Sequence, residues 1–276
     1  PVCSPSRACF LTGKVASQHG IHDYLSSMDP AIHSYPWLEE QTLLPGILQE
    51  HGYQTMMCGK WHLGSDHIPH PSFDRWFSLW GDFPYDHNDN NRYSEDGREV
   101  RIPGYTTRVI TDKAIRMLRE RDQEKPFFLM VAYTATHSKW EGHPERLVSS
   151  YRNCTFDDIP DDPPYPFGEN ALESNSVDRN DPREALAQYY AAVTHLDEAT
   201  GELLDALDAL KLREDTLFIY TSDHGLNCGH HDIWGKGNGT MPLNMVEESI
   251  RIPMIFSQPG TLPEGSRLEG FVDHTD

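Results

Sequence analysis

Apolar and polar positions along the chain fall into blocks of different period. Three short apolar runs, 127–133, 217–221 and 254–257, are flanked by polar or turn-forming residues and predict buried strands. Two of them lead straight into chemistry-bearing residues. The run 217–221 enters Ser222, Asp223, His224 and Gly225, and 127–133 enters residues 134–137. Open α/β sheets place their sites just beyond strand C-termini. Helical periods lie between the runs. One helix begins near Asp181, a good N-cap, with Pro182 at the first helical position and Glu184 completing a capping-box-like pattern. Its apolar stripe is Leu186, Tyr189, Tyr190, Val193, Leu196, Leu203, Leu204, Leu207 and Leu210. A second helix covers 107–121 with Ile110, Ala114, Met117 and Leu118 inward. A third covers 42–51 and stops at Gly52. The alternation predicts an α/β fold with helices packed on a sheet. Two stretches rich in Asp, Asn and Pro, 67–101 and 153–180, read as long loops. In the first, Trp76, Trp80, Phe83 and Tyr85 point to a pocket wall.

At 276 residues the chain suits one large α/β domain or two small ones, and 37% apolar with 24% charged residues is an ordinary globular balance. The net charge of −20 argues against a general nucleic-acid-binding surface and against docking on anionic membranes. No apolar run is long enough to span a bilayer. The five cysteines, Cys3, Cys9, Cys58, Cys154 and Cys228, match no disulfide framework or zinc spacing, and an odd number leaves at least one thiol free.

Two segments carry candidate chemistry. In the first, Cys3-Ser4-Pro5-Ser6-Arg7 through Gly13, Ser4 reads as an N-cap, Pro5 as the first helical residue and Gly13 as the stop. Cys3 then sits just before a helix N-terminus, where unpaired N–H groups and the helix dipole suit an oxyanion. Arg7, about one turn on, adds a charged fork. Alone, a capped helix with an incidental cysteine explains these residues better. In the second segment, residues 52–64, Lys60 and His62 are two apart and share a face if extended, which suits an anionic ligand or proton transfer. Alone, a solvated strand end explains them better.

Together, in this order, the two segments resemble the two signatures of the type I sulfatases. The first matches Cys-x-Pro-Ser-Arg-x-x-x-Leu-Thr-Gly. The resemblance continues through Thr136-His137, residues 221–225, Trp234-Gly235-Lys236 and residues 247–253, essentially the whole chain. It implies an alkaline-phosphatase-like α/β fold: a mixed, largely parallel central sheet with helices on both faces. It also implies that Cys3 is oxidised by a formylglycine-generating enzyme to formylglycine. One hydroxyl of the hydrated aldehyde attacks the sulfur of a sulfate ester, and the other expels sulfate from the covalent intermediate. Arg7 would hold the hydrate, Lys60 would neutralise sulfate oxygens, and His62 would deprotonate the second hydroxyl. His137 and Lys236 would flank the leaving-group oxygen, and either of them would stabilise or protonate the departing alkoxide. Asp223 and His224 match a late pair of metal ligands. Calcium is the expected ion, although imidazole is a less typical calcium ligand. His230 and His231 are left outside the metal site. Family members are usually exported or lysosomal, which implies a secreted, periplasmic or lysosomal protein acting on a sulfated small molecule or carbohydrate. The aromatic first loop favours a carbohydrate.

The resemblance places two further Asp ligands upstream of the Cys motif, where this sequence has only Pro1 and Val2. The chain therefore reads as residues 1–276 of a sulfatase catalytic domain, short at both ends, with an incomplete sheet and half a metal site. A phosphonate or phosphate ester hydrolase of the same superfamily and a non-catalytic chain are the competing readings.

Overall fold

The largest sheet among the described residues is organised around a strand that begins at Gln54, two residues after Gly52, between two of the predicted elements. In this computed structural model, residues 2–26, 29–80, 91–167, 169, 170, 177 and 181–276 are described. The chain divides into two units: Ser4–Thr134 with Glu198–Phe218 and Ser257–Asp276, and a smaller one of Pro1–Cys3, Ala135–Asp197 and Ile219–Phe256.

The larger unit holds α1 (Cys3–Thr12, its first residue counted with the smaller unit), α2 (Ala16–His19), α3 (Pro30–Ser34) and α4 (Leu44–Glu50). These are followed by β1 (Gln54–Gly59), β2 (Arg75–Leu79), β3 (Arg92–Glu95), β4 (Arg98–Arg101), α5 (Thr106–Arg119) and β5 (Phe127–Ala132). The strand order is β4-β3-β2-β1-β5. β1 runs parallel to both β2 and β5, and β3 and β4 continue the sheet antiparallel. Side chains alternate across the sheet and create two cores. Met57, Trp76, Phe128 and Met130 face one, with Ala8 and Leu11 of α1. Met56, Cys58, Phe77 and Leu129 face the other, with Ile110 and Met117 of α5. Burial on both faces explains why β1 reads as an apolar run without alternation.

The smaller unit holds α6 (Glu145–Tyr151), β6 (Glu169–Asn170), the first part of α7 (Arg183–Ala209) and most of β7 (Phe218–Thr221). It continues with β8 (Asn227–Cys228), β9 (Trp234–Gly235), β10 (Thr240–Met241), α8 (Glu247–Ile250) and most of β11 (Met254–Ser257). Its core gathers Trp140, Val148, Leu186, Ala187, Ala191 and Trp234.

The α/β class with helices against a largely parallel sheet is as expected. Several local expectations are not. The stretch 67–101 is no long loop, because it carries β2, β3 and β4. Trp76 is no pocket wall: it is buried in the core against Trp61 and Phe73 at ring-centroid distances of 5.2 and 5.7 Å. Its strand was masked by the polar residues Arg75 and Ser78 and by neighbouring Asp and Asn. Phe83 and Tyr85 lie outside the described residues. The three apolar runs do form strands, but they are half-buried rather than buried. β5 is an edge strand and β7 pairs with β11 in a two-stranded sheet, so each lacks a ladder partner on one side among the described residues. Glu184 does not close a capping box. Its carboxylate accepts from Arg152 and Gln188 instead, because α6 brings the guanidinium within reach.

Candidate active site

Five of the residues singled out in the sequence lie together in the smaller unit. β7 ends at Thr221, and Asp223 and His224 follow on the turn. Gly225 is required just after them, because a Cβ there would lie 2.0 Å from the Glu248 carbonyl oxygen. The close approach pins the turn, and the Gly225 N–H donates to the Ser249 carbonyl at 3.1 Å. His224 Nδ1 lies 2.8 Å from the Gly225 carbonyl. A carbonyl can only accept, so Nδ1 carries the proton and Nε2 presents its lone pair. That Nε2 is 3.2 Å from Cys3 Sγ and 3.5 Å from Asp223 Oδ1. The three ligand atoms lie within 4.8 Å of one another, with Cys3 buried.

An imidazole lone pair and a carboxylate oxygen facing each other at this distance repel unless a proton or a cation lies between them. The backbone bond that fixes the imidazole from behind is the usual support of a metal-binding histidine. Asp223 and His224 therefore fit a divalent cation. Calcium's preference for many oxygens is not written in this set, which offers one carboxylate, one imidazole and one sulfur.

Lys236 approaches the same cysteine. Its Nζ donates to Cys3 Sγ at 3.0 Å and lies 3.1 Å from His137 Nε2. An ammonium has only donors, so His137 Nε2 accepts. The His137 proton is then on Nδ1, 2.7 Å from the Ser138 carbonyl. Both histidines are thus held in the Nδ1-protonated tautomer by a neighbouring carbonyl. His230 and His231 occupy the turn His230–Asp232. His231 Nε2 lies 3.9 Å from Asp162 and 3.6 Å from Glu248.

Arg7, Lys60 and His62 belong to the larger unit. Arg7 and Lys60 are buried, and an Arg7 guanidinium N–H donates to the Lys60 carbonyl at 2.6 Å. Lys60 follows β1 directly, its N–H donating to the Ala132 carbonyl at 2.7 Å. Gly59 makes that approach possible, since a Cβ there would stand 2.0 Å from the same oxygen. Two local expectations fail. Ser4 is not the N-cap of α1, because the helix already begins at Cys3. The Ser4 hydroxyl accepts the Leu25 N–H at 2.9 Å instead. His62 does not continue an extended strand beside Lys60. β1 ends at Gly59, and His62 sits in the left-handed region at φ 59°. Its Nε2 lies 3.2 Å from the Leu25 carbonyl.

The turn at His62 rests on a carboxylate that sequence reading did not single out. Asp66 Oδ1 accepts the His62 N–H at 2.7 Å, and its carbonyl accepts from the Trp76 indole and the Ser78 hydroxyl. Burial raises the Asp66 carboxyl to about 7, while the His62 N–H, Lys60 and Arg7 pull it back. The only signal in the sequence was an Asp four residues after His62.

Among the described residues no helix is long and apolar enough to cross a membrane. Comparison with known proteins gives one family. The family model of the sulfatases matches residues 1–276. An N-acetylglucosamine-6-O-sulfatase of Bacteroides thetaiotaomicron is 29% identical over 95% of this chain and 55% of its own length. An ulvan-active sulfatase of Formosa agariphila is 31% identical over 94% of this chain and 47% of its own. A solved structure described as in complex with its substrate D-glucosamine-2-N,6-O-disulfate superimposes with a TM-score of 0.77 at 28% identity, covering 96% of this chain and 63% of that one. The chain thus spans about half the length of the curated relatives it matches.

Proposed function

Since the chain belongs to the sulfatase family along its whole length, we propose that the protein hydrolyses a sulfate ester on a carbohydrate, with residue 3 as the reacting position. The observation that carries this reading is the ring of groups around Cys3. His224 Nε2 lies 3.2 Å from its sulfur and Lys236 Nζ 3.0 Å, with Asp223 beside the first and His137 beside the second. A metal-ligand pair and a proton-holding pair thus meet at one side chain.

Formylglycine formed from Cys3 by a formylglycine-generating enzyme would supply, as its hydrate, the attacking oxygen. A divalent cation, calcium by family resemblance, would be held by Asp223 and His224 and would polarise the sulfate. The remaining roles belong to this chain's own residues. Lys236, whose Nζ lies 3.0 Å from the sulfur of residue 3 and 3.1 Å from His137 Nε2, is the donor placed to neutralise the departing alkoxide. His137, its ring fixed by the Nδ1 bond to the Ser138 carbonyl, lies against that ammonium and positions it. Arg7, one turn along α1 from residue 3, would hold the hydrate. Lys60 would neutralise sulfate oxygens, and His62 would take the proton that releases sulfate. Residues 1–276 would form part of the catalytic domain of an exported protein. The carbohydrate preference is supported by the names of the relatives, which act on amino-sugar and ulvan sulfates.

The test is to express the protein with an active formylglycine-generating enzyme and measure two things: the mass of the Cys3 peptide, and sulfate release from sulfated monosaccharides, aryl sulfates and phosphonate esters. Conversion of Cys3 with release from a sulfated sugar is expected. An unmodified Cys3 beside a converted control protein would overturn the mechanism. Faster turnover of phosphonates would overturn the substrate class.

A further inference from the structure

The sequence segment 247–253 contributes no group to the ring around Cys3, yet it delivers Ser249 into a fully buried polar relay. Ser249 Oγ donates to Asn244 Oδ1 at 2.6 Å and accepts from Asn227 Nδ2 at 2.8 Å. The two amides then reach the backbone on either side of Lys236. Asn227 Nδ2 donates to the Gly235 carbonyl at 3.1 Å, and Asn244 Nδ2 donates to the Lys236 carbonyl at 3.0 Å. Asn244 spends its second amide hydrogen on Thr240 Oγ1 at 3.2 Å, and Thr240 passes its own to the Pro242 carbonyl at 2.9 Å. The Asn244 N–H also holds the Gly237 carbonyl at 2.8 Å. Asn227, Asn244 and Ser249 are each 0% exposed.

Three features separate this relay from incidental satisfaction of buried polar groups. Its donors run in one consistent direction, and both hydrogens of each amide are used. It grips consecutive carbonyls, those of Gly235 and Lys236, which fixes the two peptide planes on either side of the Lys236 Cα. Lys236 lies at a bend among glycines, between β9 and a single 3₁₀ turn over 237–239; the Gly239 N–H gives its carbonyl one backbone bond at 2.8 Å, and the relay adds the side-chain hold. A lysine side chain has four rotatable bonds, and its ammonium can stay between Cys3 Sγ and His137 Nε2 only if its base does not move.

We infer that Asn227, Asn244 and Ser249 are positioning residues that clamp the backbone of Lys236 and so set its ammonium between residue 3 and His137. This assignment deepens the proposed sulfatase reading and rests on it for its kinetic consequence. Its structural consequence can be read without turnover.

The experiment compares wild type with Ser249→Ala, which removes one hydroxyl, and Asn244→Ala, which removes both donors. It uses the formylglycine-matured protein and counts active sites by the converted residue 3. The expected result is a loss of kcat of about 10- to 100-fold with KM changed by less than about threefold, as for a displaced catalytic group. In parallel, the ¹⁵N signal of His137 Nε2 at one fixed pH should move away from its wild-type position in both variants. Unchanged kcat per converted site, together with an unmoved His137 signal, would reduce the relay to structural stitching and overturn the inference, whatever the variants lose in thermal stability. If Asn244→Ala does not fold, Ser249→Ala decides the question alone. If the wild type releases no sulfate, the functional reading fails, and the His137 signal alone decides whether the relay sets Lys236.

Discussion

Asp66 offers a direct physical test of the site in the larger unit. Its carboxyl is 2% exposed and caps the His62 N–H at 2.7 Å. Burial raises it from 3.8 to about 7 against the pull of the His62 N–H, Lys60 and Arg7. A carboxyl whose native pKa lies above its unfolded value leaves the native chain holding more protons than the unfolded chain between those two values. Stability therefore falls as pH rises through the window from about 4 to about 7, and the loss is complete above it. About 3 pH units at about 1.36 kcal/mol each set the size at up to ~4 kcal/mol. Asp66→Asn keeps an oxygen for the His62 N–H and cannot ionise. In urea denaturation from pH 4 to pH 8.5, the wild type should lose stability relative to the Asn variant by up to that amount, with the change centred between pH 4 and 7 and flat above. Parallel pH profiles for the two proteins would refute the reasoning. So would a wild type that gains on the variant as pH rises, which would mean that Arg7 and Lys60 outweigh desolvation and hold an ionised carboxylate.

Other expectations follow from single contacts. Gly59→Ala places a Cβ 2.0 Å from the Ala132 carbonyl at φ 116°, and should cost at least ~3 kcal/mol or abolish soluble protein, read by urea denaturation and yield. A soluble variant within about 1 kcal/mol of wild type would refute the tight approach of Gly59 to β5. Burial pushes the Cys58 thiol far up and Cys228 up to about 12, so iodoacetamide at pH 8 should modify the half-exposed Cys154 well before either, read by peptide mass spectrometry. Equal rates would contradict that burial. On the sulfatase reading, Lys236→Ala should lower kcat by about 10²- to 10⁴-fold, and adding His137→Ala should cost less than the product of the two single losses, because the two side chains are in direct contact at 3.1 Å. Strictly multiplicative losses would show that the two side chains act separately.

The parts legible in the sequence were those written in local spacing. The period of α5, the apolar runs that became β5, β7 and β11, and the two segments around Cys3 and Lys60 all depend on neighbours within a few residues. The stretch 67–101 was misread because its strands carry Arg75, Ser78 and Arg92 among apolar residues, and burial on both faces erases the alternation that marks a half-exposed strand. Ser4 and Glu184 were misassigned for a common reason. Each fits a capping pattern locally, but a partner distant in sequence, Leu25 for one and Arg152 for the other, binds its side chain.

The amino-acid order sufficed for the fold class, the family resemblance and the residue types gathered at Cys3, because these are properties of composition and of spacing along the chain. The tertiary structure alone decided which ring nitrogen of His137 and His224 keeps its proton, since each tautomer is dictated by a carbonyl that the fold brings to Nδ1. It alone placed Lys236 on Cys3 across 233 positions, put Asp66 beneath His62, and ran the Asn227–Ser249–Asn244 relay to the Lys236 backbone. The physical reason is that hydrogen bonds and desolvation act over a few ångströms of space. Their partners are therefore set by packing, whatever the separation along the chain.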